Sequence, residues 1–227
     1  MSDTPIDVFI DLPSFPGPVQ AGRLWSHFRK GRESASFESN KEWLANPHRF
    51  ALEPLLPLAD GTFHTNPGQS VFGAIGDSTP DRWGRILMRR AELARARTAN
   101  ESPHTLSELD YLLRVNDEAR QGALRFSQDG GQSFCAPPGS TPIPPLVNLS
   151  RLLHAADHFC RDDENAEDLR LLLAPGSSLG GARPKASVKD KKGNLCIAKF
   201  PRYDDEYNVV AWEAVALTLA STAGLKV

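Results

Sequence analysis

Short runs of apolar residues, interrupted by polar ones and bounded by Pro and Gly, occupy the first part of the chain and predict β-strands. A turn over residues 13–18 joins the first two runs into a hairpin, and residues 41–45 predict a short helix. Prolines between residues 46 and 70 indicate loops with short extended pieces. The strands predicted here are residues 8–12, 19–25 and 35–38.

Farther along the chain, apolar residues recur every three or four positions and predict helices. Pro80 in a first turn, with Ser78 or Thr79 as the cap, predicts a helix to about Thr98. Acidic residues at the start of the last helix and Gly224 at its end suit the two ends of a helix. The other helices predicted are residues 105–115, a helix from residue 149 that ends in the acidic run 162–168, and residues 204–223; residues 124–126 predict a strand.

Residues 127–145 are rich in Gly, Pro and Ser, and we predict a linker or a long surface loop there. This stretch separates an N-terminal subdomain, residues 1–126, from a second part, residues 146–227. The order of the elements predicts an α+β fold whose N-terminal subdomain is mostly antiparallel.

The most informative segment is the Gly-rich run at residues 175–185. Small and hydroxyl residues in a loop before two strands can bring backbone N–H groups close to a phosphate. Gly176 and Gly181 have the spacing of the P-loop glycines, but Lys185 comes three positions late for the lysine of that motif and Pro184 precedes a predicted strand. A P-loop NTPase is therefore disfavoured, and the plainest alternative is an ordinary Gly/Ser loop.

Two short strands after this run predict a hairpin with its turn at residues 190–194. Lys199 shares a strand face with Leu195 and Ile197, so we expect it to point toward a partly buried surface. A lysine in such a place is costly unless it is paired. The helix that follows carries Glu213 within its apolar stripe, which makes Glu213 the expected partner of Lys199.

A Gly-rich loop, a strand lysine and a helix glutamate in this order follow the logic of a protein-kinase N-lobe. The alternative is a structural ion pair at a junction between hairpin and helix. Three segments add to the kinase interpretation because they resemble the N-lobe of HipA-type toxin kinases: SSLGGARPK at 177–185, AKFP at 198–201 and WEAVA at 212–216.

The N-terminal half carries the same resemblance. GDSTPDRWGR at residues 76–85 is similar to the family element "LPDGWGR", and YLL at 111–113 with GALRF at 122–126 is similar to "YLL…GAL". The resemblance spans most of the chain in family order. It implies an α+β fold with a kinase-like N-lobe and a bacterial serine/threonine kinase of a toxin–antitoxin system that phosphorylates translation-linked proteins, notably aminoacyl-tRNA synthetases.

Carried over by position, the resemblance makes Ser178 the autophosphorylated serine, Lys199 the contact to the nucleotide phosphates and Glu213 the acid that holds this lysine. The implied cofactors are ATP and Mg²⁺. The implied nucleotide-binding residues are Ser177, Ser178, Gly180, Gly181, Ala182, Lys199 and Glu213.

The family's catalytic aspartate, its neighbouring asparagine and its magnesium-binding aspartate lie in a C-lobe, and no position of this chain matches them. We therefore expect a truncated kinase-like domain that transfers no phosphate alone and exposes an apolar surface. The implied partners are a helix-turn-helix antitoxin, the missing C-lobe or a second copy, and DNA only through the antitoxin. An alternative from another class is a non-catalytic module that binds a partner chain or antitoxin.

Composition narrows these alternatives. The 227 residues have a formal net charge of −2, which gives no bulk electrostatic case for nucleic acid or an acidic membrane. No apolar run is long enough to span a bilayer, and no signal-peptide pattern is present. The three cysteines lack C-x-x-C spacing, which argues for a reducing compartment, and we expect a cytoplasmic protein.

Two further features suggest other functions. His154 and His158 lie four apart on a predicted helix, but Ala155 stands where a zincin has Glu, and we favour surface or core histidines over a metal site. The helix after Pro80 is rich in arginine, and we favour a solvated flank over a surface that faces DNA. Its arginines are Arg82, Arg85, Arg89, Arg90, Arg95 and Arg97.

Overall fold

The computed structural model describes residues 5–135, 142–176 and 180–227. The N-terminal part is built on a five-stranded sheet with strands β1 (Ile6–Ile10), β2 (Val19–Arg29), β3 (Arg32–Ser39), β4 (Thr62–His64) and β5 (Leu124–Ser127). Neighbouring strands are antiparallel and follow the order β4-β3-β2-β1-β5. A separate hairpin consists of β6 (Lys185–Lys189) and β7 (Leu195–Lys199). The fold is α+β, as predicted.

The α-helices of the described residues are α1 (Lys41–Ala45), α2 (Gly73–Gly76), α3 (Arg82–Ala99), α4 (Glu108–Leu113), α5 (Leu149–Cys160), α6 (Ala166–Gly176) and α7 (Val209–Thr222). The bounds of α1 are those predicted, because Asn40 caps it by accepting a hydrogen bond from the Glu42 N–H. Strand β4 lies inside the proline-containing segment, where it pairs with β3.

Two helices begin later than predicted, for local reasons. Residue Asp81, rather than Ser78 or Thr79, occupies the cap position of α3. Helix α4 begins after Ser107, whose hydroxyl accepts the N–H of Asp110 while the carboxylate of Asp110 accepts the N–H of Ser107. This reciprocal capping box satisfies the first turn and leaves the residues before it outside the helix.

The last helix also starts later than the acidic residues suggested. The side chain of Asn208 accepts the N–H of Ala211, which sets the start of α7 at Val209. Residues 204–206 therefore precede the helix. Asp205 instead accepts a hydrogen bond from the guanidinium of Arg183 at 2.5 Å.

Helix α3 contributes to two hydrophobic clusters. Trp83 and Leu87 pack with side chains of α5, α6 and β6, so α3 contacts elements that follow the predicted linker in sequence. Met88, on the same helix, packs with Tyr111 of α4 and with Val115. A third cluster lies between the first sheet and α2 and α4, and its buried members include Ile6, Val8, Leu24, Phe37, Phe72, Leu112 and Phe126.

A buried arginine joins the segments around α4. The side chain of Arg120 is fully buried and donates to the backbone carbonyls of Ser78, Leu112 and Val115 at 3.0–3.1 Å. It also bonds the carboxylate of Asp117 at 3.3 Å. Burial lowers the pKa of the guanidinium to about 10, which still leaves it charged at neutral pH. These bonds hold the chain on either side of α4 together.

We predict that Arg120→Met destabilises the fold strongly. The substitution leaves three backbone carbonyls and a carboxylate without their donor, which costs about 3–5 kcal/mol of unfolding free energy. Urea unfolding at pH 7 measures this loss, with Arg29→Met, at an exposed arginine of β2, as the control. A loss under 1 kcal/mol would contradict this role for Arg120.

Candidate functional site

The register of the β6–β7 hairpin places two lysines side by side. Lys185 is paired directly with Lys199 at the open end of the hairpin, and the two side chains lie on the same face. Burial and then the positive charge of Lys199 lower the pKa of Lys185. An anion between these ammonium groups would relieve this repulsion. In the sequence, Lys185 is a P-loop lysine at the wrong spacing, and its pairing with Lys199 is not predicted. The signal for the pairing is that Lys185 and Lys199 lie equally far from the hairpin turn at residues 190–194.

Lys199 forms an ion pair with Glu213 of α7, which confirms the expected pairing. The expected burial is wrong: the exposed fractions of the two side chains are 47% and 37%. Leu195 and Ile197, on the same strand face, are 50% and 52% exposed. The physical reason is that β7 is the outer strand of the hairpin: Cys196, on its other face, is exposed too, whereas the residues of β6 other than Lys189 are buried.

The hydrophobic side of the hairpin is carried by Ala186 and Val188, which are buried against α5 and α6. On the other face of the hairpin Lys185 and Ser187 are buried as well, so β6 is buried on both faces, whereas Lys199 of β7 and Glu213 of α7 are partly exposed. Water therefore reaches Lys199 and Glu213, whereas Lys185 is only 9% exposed.

The Gly-rich run is described at its two ends. Ser177 and Ser178 lie outside the described residues, whereas Gly180, Gly181 and Ala182 are exposed next to the lysines. The ammonium of Lys185 donates to the carbonyl of Gly180. Gly181 has φ of +85°, a conformation in which a side chain would be strained. The predicted set thus converges in part: Gly180 lies next to Lys185, which lies opposite Lys199.

A residue that the sequence analysis did not select, Asp81, also reaches this place. Its carboxylate accepts the N–H of Gly181 at 2.7 Å. The backbone N–H of Trp83 donates to the carbonyl of Gly181 at 3.1 Å. Both residues belong to the GDSTPDRWGR segment, so two of the segments that resemble HipA-type kinases meet in space. No local sequence signal connects residues this far apart.

An exposed apolar surface surrounds the ion pair. Helix α7 has no buried residue, although its sequence is apolar on all sides. This agrees with the expectation of an exposed apolar surface. Its exposed members, together with those of β7, are Leu195, Ile197, Trp212, Val215, Leu217 and Leu219.

Three of the six arginines of α3, Arg85, Arg90 and Arg95, form ion pairs with carboxylates. Arg85 pairs with Glu108 at 2.6 Å, and Arg90 pairs with Glu164 at 2.7 Å and also with Asp162. The hydrogen bond from Arg95 is the main reason that the pKa of Glu92 lies at about 2. These pairs reduce the positive charge along α3, while Arg82, Arg89 and Arg97 are exposed.

The two histidines of α5 are accounted for by a local contact. The rings of His154 and His158 lie 4.0 Å apart, and Nδ1 of His158 is 3.0 Å from the buried carboxylate of Asp168. In the described parts of the chain, no group of three or more His, Cys, Asp or Glu side chains is placed to hold a metal ion.

No protein-family model matches the chain, and no curated protein matches it either. No helix within residues 5–135, 142–176 and 180–227 has the length and apolar character needed to cross a membrane.

The contribution of the ion pair between Lys199 and Glu213 to the free energy of unfolding can be measured. Because both side chains are partly exposed, we predict that Lys199→Met and Glu213→Gln each lower the unfolding free energy by less than about 1 kcal/mol, with a coupling in the double variant of the same small size. Chemical unfolding of the four proteins measures it. A coupling of about 2 kcal/mol or more would assign the pair to fold stability instead.

Proposed function

We propose that this chain provides the nucleotide-binding lobe of a HipA-like serine/threonine protein kinase of a toxin–antitoxin system. Its substrate would be a translation-linked protein, and a helix-turn-helix antitoxin would bring it to DNA. The observation that carries the proposal is the ion pair of Lys199 and Glu213, formed between a strand and the following helix beside a glycine-rich run. That arrangement is the one that kinase N-lobes use to hold a lysine against the phosphates of ATP.

The residues present fit the phosphates of ATP. Lys185 and Lys199 place two positive charges on one face of the hairpin, and their mutual repulsion favours an anion between them. Glu213 orients Lys199 from the α7 side, so that its ammonium stays over the open end of the hairpin. The exposed backbone at Gly180 and Ala182 allows phosphate oxygens to approach closely.

The same residues do not fit Mg²⁺. The described side chains form no cluster of three or more acidic, histidine or cysteine ligands, and cationic lysines surround the proposed phosphate position. In the HipA-type kinases that the chain resembles, the metal-binding and catalytic aspartates come from a C-lobe. The role proposed for this chain is therefore to bind and orient the nucleotide.

Nucleotide binding by the purified chain tests the proposal. We predict that ATP binds and that Lys199→Met weakens the affinity at least about tenfold, because a charge-assisted contact to phosphate is lost. Lys191→Met, at an exposed lysine of the hairpin turn, is the matched control and should bind ATP like the original chain. Isothermal titration calorimetry gives both dissociation constants.

The same preparation tests whether the chain alone, without the residues of a C-lobe, transfers phosphate. Incubation with radiolabelled ATP and Mg²⁺ should leave the chain unlabelled, because the residues that orient the nucleophile are not among those matched here. Label on Ser178, or ATP binding that Lys199→Met leaves unchanged, would contradict the proposal.

A second candidate function is a non-catalytic binding module. The observation in its favour is the apolar surface of α7. This surface consists of several exposed apolar side chains on one helix, and no other described residue buries them. On this proposal α7 binds a partner chain or a second copy, and the ion pair has no ligand.

For this surface we predict self-association at high concentration and binding of a hydrophobic dye. Leu219→Glu, in the exposed apolar part of α7, should weaken both, since a charge opposes burial of the surface. Sedimentation velocity and dye fluorescence measure them, and Phe28→Glu, at an exposed phenylalanine of β2, is the control. A strictly monomeric chain without dye binding would count against this candidate.

A further inference from the structure

The carboxylate of Asp81 does not cap the helix that it precedes. Asp81 occupies the cap position of α3, where an aspartate normally accepts an N–H of the first helical turn. Its side chain makes no such cap bond. Instead Oδ2 accepts the N–H of Gly181 at 2.7 Å, across 100 positions of sequence. The start of α3 therefore gives up one local bond for a contact with the Gly-rich run.

A second hydrogen bond makes this contact directional. The backbone N–H of Trp83 donates to the carbonyl of Gly181 at 3.1 Å, so Gly181 is held through both its donor and its acceptor. The buried indole of Trp83 then donates to the carbonyl of Lys185 at 2.9 Å. Both ends of the segment from Gly181 to Lys185 are thereby attached to the first turn of α3.

The other described end of the run meets the same helix. A Cβ at Gly176 would lie 2.7 Å from a methyl carbon of Leu87 and 3.0 Å from the indole nitrogen of Trp83, so only glycine allows this approach. A Cβ at Gly180 would lie 3.2 Å from Oδ2 of Asp81. The glycines on both sides thus permit close contact with α3.

We infer that Asp81 is a positioning residue for the Gly-rich run: by holding Gly181 against the start of α3 it places the backbone of Gly180 and the ammonium of Lys185 for phosphate binding. The inference rests on the proposed function, since the phosphates are those of ATP. It also changes the role expected for Gly181. Its N–H is bonded to Asp81, so Gly181 supports the run and does not contact the phosphate. Gly180, Ala182 and the lysines are left as the groups that face a phosphate.

The charges around Lys185 are consistent with a supporting role for Asp81. Lys199 and Arg183 act on Lys185 as positive neighbours, and Asp81 and Glu213 act as negative ones. Glu213 is bound to Lys199 and Asp81 to the Gly181 N–H. Each acidic group therefore holds a part of the site in place.

Three variants separate positioning from a general effect on the fold. Asp81→Ala removes the acceptor, Asp81→Asn keeps an acceptor oxygen without the charge, and Asp77→Ala removes an exposed carboxylate four residues earlier. Asp81 is itself exposed, so the variants should fold, which circular dichroism checks. Hydrogen–deuterium exchange reports the Gly181 amide, and calorimetry reports the affinities for ATP and for adenosine.

We expect Asp81→Ala to speed exchange of the Gly181 amide about tenfold, the effect of losing one hydrogen bond, while amides of β6 and β7 stay unchanged. Its affinity for ATP should fall about fivefold to tenfold with adenosine affinity unchanged, because only the phosphate contacts move. Asp81→Asn should restore most of both, and Asp77→Ala should match the original chain.

The outcomes separate this inference from the proposed function. If the original chain binds no ATP, the proposed function fails and the inference about phosphate falls with it. If ATP binds and Lys199→Met weakens it, but Asp81→Ala leaves the ATP affinity unchanged, the proposed function stands and the inference is wrong. Unchanged exchange at Gly181 in Asp81→Ala also overturns the inference, as does an equal loss of adenosine and ATP affinity.

Discussion

The packing of helix α3 is the constraint on which the rest of the structure depends. Its first turn presents Trp83 to the cluster formed by α5, α6 and β6, and its next turn presents Met88 to α4. The indole of Trp83 is buried and still satisfies its N–H on the carbonyl of Lys185. A buried polar hydrogen of this kind has few geometries available, because leaving it unpaired is costly. This hydrogen bond joins the first turn of α3 to the start of the hairpin.

The electrostatics of the candidate site follow from that placement. Strands β6 and β7 pair in a register that sets Lys199 beside Lys185. Two like charges in direct register destabilise a hairpin in isolation. Glu213 and the carbonyl of Gly180 offset this repulsion from opposite sides.

The two proposals for function use different faces of the same region. The kinase proposal uses the open end of the hairpin, where charge is concentrated and little apolar surface is needed. The binding-module proposal uses α7, where apolar side chains are exposed along the whole helix. Both faces meet at Glu213. A partner that covers α7 would also exclude water from the ion pair and strengthen it, since charges interact more strongly in a medium of lower dielectric constant.

The sequence by itself determined the local elements and the chemistry of the candidate residues. Turn residues and apolar periods located most strands and helices, and the order of the glycine run, Lys199 and Glu213 predicted their ion pair. Predicted helix starts were wrong where several neighbouring residues could act as the N-cap, as around Asn208. The burial of Lys199 was wrong because a strand period gives the face that a residue shares but does not say which strand of a hairpin lies in the core; here β6 is buried and β7 is exposed.

Only the tertiary structure decided which distant residues meet. Asp81 and Gly181 are brought together by the packing of α3, and no periodic pattern relates positions so far apart. Arg120 has the same origin, since its backbone acceptors belong to two separate segments, at Ser78 and at Leu112 and Val115, and a carbonyl has no identity in the sequence. Local propensity acts over a few residues, whereas the free energy that joins these segments comes from burial of side chains contributed by the whole chain.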